Sequence, residues 1–175
     1  REKVIQQVTQ ALALGQQAYW VCTLIEESDE IDAMSANACF AYLSKKLTTF
    51  RVGLLHGRMR GDEKVTIMDA FKSGEYDILV ATTVVEVGVD VPNATHMVIE
   101  NSERLGLAQL HQLRGRVGRG QVASRCFLLF KPGLSQAGQH RLNALRQSQD
   151  GFYLAEQDLK LRGPGDILGT RQAGE

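Results

Sequence analysis

Five short and almost continuous apolar segments constrain the fold of this 175-residue chain more than any other feature. Each segment is rich in strand-forming residues and too short for a typical helix, so each predicts a β-strand. The apolar residues do not alternate with polar ones, which indicates strands buried on both faces, as in a parallel sheet. The predicted strands are Ala18–Ile25, Arg51–Gly57, Tyr76–Thr82, His96–Glu100 and Ala123–Phe130.

Segments with helical spacing of apolar residues separate these strands. Gly15 and Gly74 are expected to stop the first and third of these helices. Strands that alternate with helices form βαβ units, so we predict an α/β domain of three layers with a mostly parallel sheet. The predicted helices cover Val4–Leu12, Ser35–Lys46, Asp62–Phe71 and Ala108–Gly115, and the acidic residues before Ser35 are assigned to a loop.

The pattern changes after Lys131, where proline and glycine interrupt the chain. Two further helices are predicted over Gln136–Gln147 and Phe152–Leu161, and a glycine-rich segment follows them. We therefore expect two units, an α/β domain over residues 1–131 and a helical hairpin with an irregular loop over residues 132–175.

Composition narrows the function only slightly. The formal net charge is zero, so the overall balance gives no sign of nucleic-acid binding. The three cysteines lack a paired spacing and are interpreted as reduced thiols of a cytoplasmic protein. There is no signal peptide and no apolar run of membrane length, and no membrane partner is expected. The chain starts at Arg1 inside a predicted helix, which suggests an excised fragment.

A complete nucleotide motor needs two features that this sequence lacks. One is a phosphate-binding loop of the G-x-x-x-x-G-K-[ST] type, which does not occur. The other is an acidic pair at the end of an apolar strand to hold Mg²⁺. Asp29 and Glu30 lie beyond the predicted strand end in an acidic run, so a solvated loop is the better interpretation and no metal ligand is assigned. The chain could still complete a nucleotide site whose other half lies elsewhere.

The segment QLRGRVGRG, Gln112–Gly120, contains three arginines, Arg114, Arg116 and Arg119, separated by glycines. Guanidinium groups held in a fixed geometry stabilise the charge on a phosphoryl group during its transfer. Glycines between them allow close approach of the backbone. A general phosphate-binding loop or a solvated basic turn is the alternative, but the position after a strand and a helix favours an arginine finger.

A second constellation lies at Ile78–Ala94, where a buried strand ends in threonine hydroxyls. Thr82 and Thr83 could bind a phosphate, and Asp90 could accept a hydrogen bond from a ribose hydroxyl. Alternatively, the threonines cap the next turn and Asp90 orders the turn at Pro92.

Three segments together resemble motifs IVa, V and VI of superfamily-two helicases, in order and over Ala18–Phe130. They are VGLLHGRM, ATTVVEVGVDVP and QLHQLRGRVGRG. The resemblance implies a RecA-like domain, the second of a pair. ATP with Mg²⁺ would bind in the cleft between this domain and an absent N-terminal RecA-like domain of the same protein, which would carry the phosphate loop and the acidic residues.

The same resemblance implies roles for individual residues. Arg116 and Arg119 would reach the γ-phosphate, with Arg119 favoured as the finger, and Gln112 would couple the nucleotide to domain closure. The residues implied to face the nucleotide are Gly88 and Asp90. Those implied to face the DNA backbone are Thr82, His56, Gly57 and Arg58.

The C-terminal segment Asp150–Gly174 resembles the translocation motif of helicases that remodel branched DNA at stalled replication forks. In that motif, polar residues link a helical hairpin to a loop beside duplex DNA, and here they would be Arg141, Arg162 and Gln172. An ordinary solvated surface is the alternative for these three. The resemblance implies a DNA-repair and recombination enzyme of the bacterial cytoplasm and nucleoid, monomeric, acting on branched double-stranded DNA.

Two other functions are compatible with the sequence. Transcription-repair coupling translocases have a related tail, although Pro164 and the Thr170-Arg171 pair fit the branched-DNA family better. The missing phosphate loop also allows a non-catalytic module that binds DNA or protein. Aromatic residues are few and do not alternate with the basic ones, so contacts to duplex phosphates are favoured over base stacking.

Overall fold

The computed structural model describes residues 2–22, 29–57, 59–82, 91–102, 105–117, 124–129 and 136–147. Within them, five helices and five strands alternate along most of the chain. In chain order they are α1 Glu2–Ala13, β1 Gln17–Cys22, α2 Asp29–Lys46, β2 Val52–Leu55, α3 Gly61–Lys72, β3 Ile78–Thr82, β4 Ala94–Glu100, α4 Leu107–Arg114, β5 Arg125–Leu128 and α5 Gln136–Gln147.

The strands form one sheet in the order β2-β3-β1-β4-β5, and every neighbouring pair is parallel. The first strand of the chain is therefore the central one. β1, β3 and β4 are buried along their whole lengths, which explains why their sequences are continuously apolar. The prediction of a parallel sheet is confirmed.

Helices cover both faces of this sheet. On one face, α1 and α2 pack against alternate sheet residues such as Trp20, Val80 and Val98. On the other face, residues of α3, α4 and α5 pack against the intervening ones, which include Tyr19, Leu79 and Ile99. The three-layer α/β architecture predicted from the sequence is thus the one observed.

Two helix ends follow the predicted stop signals. Gly15 after α1 and Gly74 after α3 have φ angles of +84° and +88°. L-amino acids with a side chain rarely adopt this left-handed conformation, so glycine is the residue suited to ending a helix in this way.

One boundary in the sequence-based assignment is wrong. α2 begins at Asp29, six residues before the predicted start at Ser35. Acidic residues interact favourably with the positive end of a helix dipole, so the part of the acidic run from Asp29 onward belongs to the first turns of α2. The strands begin or end within a few residues of the predicted positions, and α5 has the predicted bounds.

The C-terminal part of the chain is described only as far as α5. This helix buries Leu142, Ala144 and Leu145 in the same core cluster as α3 and α4. The predicted second helix of the hairpin, over Phe152–Leu161, and the glycine-rich segment lie outside the described residues. The division at residue 131 stays a prediction. In the described part of the chain, no helix combines the length and apolarity needed to cross a membrane.

Candidate functional site

The carboxyl ends of the strands meet along one edge of the parallel sheet. Cys22 at the end of β1 is in register with Thr82 at the end of β3. Leu55, the last residue of β2, is paired with Ala81, so His56 follows at the level of Thr82. The fold therefore brings two of the predicted DNA-facing residues to the same edge, where open α/β sheets bind their ligands.

A tight turn follows β2 at this edge. The backbone N–H of Met59 donates to the carbonyl oxygen of His56 at 3.2 Å. His56 and Gly57 inside this turn are half-buried, and Arg58 lies outside the described residues. The backbone and imidazole of such a turn can offer donors to a phosphate oxygen.

Thr82 is less accessible than the prediction requires. Its relative exposure is 2%, and it lies on the same side of β3 as the core residues Ile78 and Val80. Its hydroxyl therefore does not reach solvent phosphate in this conformation, and its role at the DNA stays a prediction. The segment 83–90, with Gly88 and Asp90, lies outside the described residues.

The arginine-rich segment begins on α4. This helix buries Leu107 and Leu110 and exposes Gln112. Arg116 lies in the following turn, half-buried, and its backbone N–H donates to the carbonyl of Leu113 at 3.0 Å. Gly115 has φ −66° and ψ −9°, which any residue can adopt, so its conformation does not require glycine. Arg119 lies outside the described residues.

The side chain of Arg114 points toward α5. One guanidinium nitrogen donates to the carbonyl oxygen of Leu145 in the last turn of α5. The other lies 2.9 Å from Nδ1 of His111. The last carbonyls of a helix have no partner within the helix, so this contact caps α5 from α4. Burial lowers the pKa of Arg114, but a guanidinium remains charged in proteins.

The Cys126 thiol on β5 lies near this guanidinium. Burial raises the pKa of Cys126 to about 11, and the positive charge of Arg114 offsets part of that increase. Cys126 is in register with Met97 in the middle of β4. The end of α4 therefore lies near β5, the edge strand on the other side of the sheet from β2.

The contact made by Arg114 is not among the sequence-based predictions, although the sequence contains a signal for it. Leu107, Leu110 and Arg114 recur at helical spacing, so Arg114 lies on the apolar side of α4 where an arginine needs a buried partner. The partner itself, a main-chain carbonyl 31 residues later, leaves no trace in the sequence.

A second buried charged group lies at the carboxyl edge. Glu100, at the end of β4, is 5% exposed. One carboxylate oxygen accepts hydrogen bonds from Trp20 Nε1 and Cys39 Sγ, both at 3.0 Å. No feature of the local sequence indicates this cluster, because its members are 61 and 80 residues from Glu100.

Of the three predicted coupling residues, Arg141 lies on α5, the helix that Arg114 caps. Arg162 and Gln172 lie outside the described residues. The hydrogen bond between Arg114 on α4 and Leu145 on α5 thus connects the arginine-rich segment to the helix that precedes the C-terminal tail.

Comparison with known proteins identifies two matching family models. Residues 2–121 match the helicase conserved C-terminal domain. Residues 148–175 match the C-terminal part of domain 3 of the ATP-dependent DNA helicase RecG.

Individual relatives give the same result over nearly the whole chain. The RecG helicase of Escherichia coli O157:H7 is 59% identical over 175 residues, which are 99% of this chain and 25% of the relative. That of Pasteurella multocida is 58% identical over 175 residues, with 99% and 25% coverage. A solved structure of RecG bound to a three-way DNA junction has a TM-score of 0.80 and 47% identity, covering 99% of this chain and 22% of that one. The chain thus spans about a quarter of the length of these curated relatives.

Proposed function

Because this chain belongs to the family of helicase conserved C-terminal domains, we propose that it is the C-terminal motor half of an ATP-dependent translocase on branched double-stranded DNA. The substrate class follows from the relatives, which are named as ATP-dependent DNA helicases, and from the similar protein solved on a three-way junction. In this proposal the whole protein remodels stalled forks and Holliday junctions in recombination and repair. It works as a monomer in the bacterial cytoplasm, at the nucleoid.

The nucleotide site in this proposal is shared between two domains. The exposed amide of Gln112 and the half-buried guanidinium of Arg116 offer donors suited to phosphate oxygens. α4 and its following turn, over residues 107–117, carry no carboxylate that could hold Mg²⁺. These residues therefore fit the phosphate side of an ATP site, and the N-terminal RecA-like domain would supply the phosphate loop and the Mg²⁺ ligands. Arg119, Gly88 and Asp90 would complete this side.

The DNA site lies at the carboxyl edge. The turn at His56 and Gly57 is half-exposed there, and Arg58 would extend it with a positive charge. Contacts of this kind to phosphates position a protein on duplex DNA without reading its sequence. Thr82 would join them only after a movement that exposes its hydroxyl.

The contact between Arg114 and the Leu145 carbonyl supports a path from one site to the tail. Arg114 is two residues from Arg116, and its hydrogen bond ties α4 to the end of α5. A shift of the arginine-rich turn on ATP binding would therefore move α5 as well. Arg141, Arg162 and Gln172 would carry that movement into the loop beside the DNA.

The Arg116→Ala substitution in the full-length protein tests the proposal. An arginine that stabilises phosphoryl transfer contributes about 10³–10⁵ in rate, so DNA-stimulated ATP hydrolysis should fall by at least about a thousandfold. Arg125→Ala is the matched control, because Arg125 is an exposed arginine at the start of β5 whose partner is Gln7. Near-normal hydrolysis by a folded Arg116→Ala protein would contradict the assignment.

A further inference from the structure

The strand order of the sheet reverses between β1 and β4. From β1 the chain passes through α2 toward β2 on one side, whereas from β4 it passes through α4 toward β5 on the other side. These two helices pack on opposite faces of the sheet. Such a reversal of strand order leaves a crevice outside the strand ends, and ligands of open α/β sheets bind there. Here the two strands end in Cys22 and Glu100, which are register partners.

Three side chains with metal-binding atoms converge at the ends of β1 and β4. The thiol sulfurs of Cys22 and Cys39 and a carboxylate oxygen of Glu100 all lie within 4.8 Å of one another. Cys22 is 3% exposed, Glu100 is 5% exposed, and Cys39 on α2 is half-buried. The arrangement follows from the register, because Cys22 and Glu100 occupy the same face of adjacent strands and α2 covers that face.

We propose that Cys22, Cys39 and Glu100 form a binding site for a thiophilic divalent cation, and that Zn²⁺ is the ion that fits it best. Two thiolates exclude hard cations such as Mg²⁺ and Ca²⁺, which prefer oxygen ligands alone. Zn²⁺ accepts both sulfur and carboxylate ligands in tetrahedral geometry. With metal–ligand bonds of about 2.0–2.3 Å, its ligand atoms lie about 3.3–3.8 Å apart, so no donor-to-donor distance needs to change by more than about 1 Å.

The hydrogen bonds already present suit this role. Cys39 Sγ donates to the same Glu100 oxygen that accepts from Trp20 Nε1. Metal binding would replace the thiol proton between Cys39 and Glu100 and release the protons of both thiols to solvent, with no change in oxidation state. The Trp20 N–H would keep its bond to the carboxylate and orient it, as outer partners of metal ligands commonly do. The described part of the chain offers three ligands, and water would fill the fourth position.

The site would crosslink three elements of the fold. Cys22 belongs to β1, Glu100 to β4 and Cys39 to α2, so one ion would hold the helix against the ends of the two strands. The inference does not rest on the proposed helicase function, because it uses only the donor atoms and their geometry.

Cobalt spectroscopy of the reduced, metal-free full-length protein tests the site. Co²⁺ replaces Zn²⁺ in tetrahedral thiolate sites and produces thiolate-to-metal charge-transfer absorption. We expect one equivalent of Co²⁺ to give this absorption, Zn²⁺ to abolish it, and a large excess of Mg²⁺ to leave it unchanged. The Cys22→Ser/Cys39→Ser double variant should bind one equivalent less than the wild type.

Cys126→Ser is the matched control, because Cys126 packs on the opposite face of the sheet and should not affect the stoichiometry. Trp20→Phe should weaken Zn²⁺ binding by about 10–100-fold without changing the number of ions bound. Equal metal binding by the wild type and the double variant would overturn the proposal.

A measurement without substitutions covers the case in which the double variant does not fold. In the wild-type protein, Zn²⁺ should slow alkylation of Cys22 and Cys39 by iodoacetamide at least tenfold, as read by mass spectrometry, and leave Cys126 unaffected. Equal alkylation with and without Zn²⁺ would also overturn the proposal.

Discussion

The two faces of the sheet each contain a buried or half-buried charged group, and the two groups are held in different ways. On the α1/α2 face, Glu100 is fixed by side-chain donors from Trp20 and Cys39. On the other face, Arg114 donates to the main chain of α5. The first set of contacts joins β4 to the neighbouring strand β1 and to the covering helix α2, all on one face of the sheet. The second joins two helices, of which the later one precedes the tail. The Glu100 contacts therefore hold strands and a covering helix together, whereas the Arg114 contact links α4 to α5.

The largest effect on stability is expected from Glu100→Ala. The substitution removes the acceptor of the buried Trp20 N–H and one hydrogen bond of the Cys39 thiol. A buried donor without a partner costs about 1–3 kcal/mol, so the free energy of unfolding should fall by about 3 kcal/mol in urea titrations. Excess EDTA in every sample separates this loss from any effect of metal. Glu100→Gln keeps an acceptor and should lose clearly less, and equal losses would show that the hydrogen bonds do not fix this face.

The Cys126 thiol provides a test of burial on the second face. Its pKa of about 11 means that the thiolate forms only as the pH rises toward that value. At pH 8 its thiolate fraction should be about a hundredfold below that of an ordinary cysteine, and its reaction with a disulfide reagent correspondingly slow. Rates measured against pH should keep rising beyond pH 9. Arg114→Ala should slow the reaction further, because the positive charge that favours the thiolate is then absent. A faster reaction would place Arg114 away from the thiol.

Removal of the hydrogen bond between Arg114 and the Leu145 carbonyl should have a smaller effect on global stability. Hydrogen bonds to charged groups contribute about 1.5–3 kcal/mol, and Arg114 is partly exposed, so Arg114→Ala should cost about 1–2 kcal/mol. Hydrogen exchange should show the loss in α5 and leave β1 and β4 protected. Uniform loss of protection would mean that Arg114 supports the whole core in the same way as Glu100. Arg114→Lys keeps the charge without the forked geometry and should give an intermediate result.

An exposed ion pair sets the lower end of the scale. Arg60 lies 3.0 Å from Glu63 at the start of α3, and its side chain is 76% exposed. Solvent screens such pairs, so Arg60→Ala should change the free energy of unfolding by less than about 0.5 kcal/mol. If Arg60→Ala lost as much stability as Arg114→Ala, burial would not be the reason why the Arg114 contact stabilises the fold.

The contrast also explains how far the sequence could lead. Apolar segments such as Tyr76–Thr82 predict strands buried on both faces, which is typical of a parallel sheet. Gly15 and Gly74 mark the ends of α1 and α3. For these reasons the fold is predicted correctly from the sequence. The start of α2 was not, because acidic residues favour both solvated loops and helix beginnings. The Trp20–Glu100 contact depends on β1 pairing with β4, which is a property of the strand order rather than of any local pattern.

The residue types of the candidate site were also predictable from the sequence, whereas the positions of these residues in the fold were not. The arginine-rich segment and the turn after β2 were found from their residue types, but the position of His56 beside the end of β3 follows from the strand pairing. The orientation of Arg114 toward Leu145 was also out of reach, since a main-chain acceptor can be any residue.

The strand order has a consequence for synthesis on the ribosome. β1 is made first, yet its two partners come much later: Ala18 pairs with Ile78 and with His96. The central strand of the sheet therefore leaves the exit tunnel with neither neighbour available, and the chain as far as β4 must follow before it is covered on both sides. Contacts so distant in sequence are slow to form. We expect nascent chains that end before β4 to be strong clients of molecular chaperones, and chains that end after β5 to be released from them.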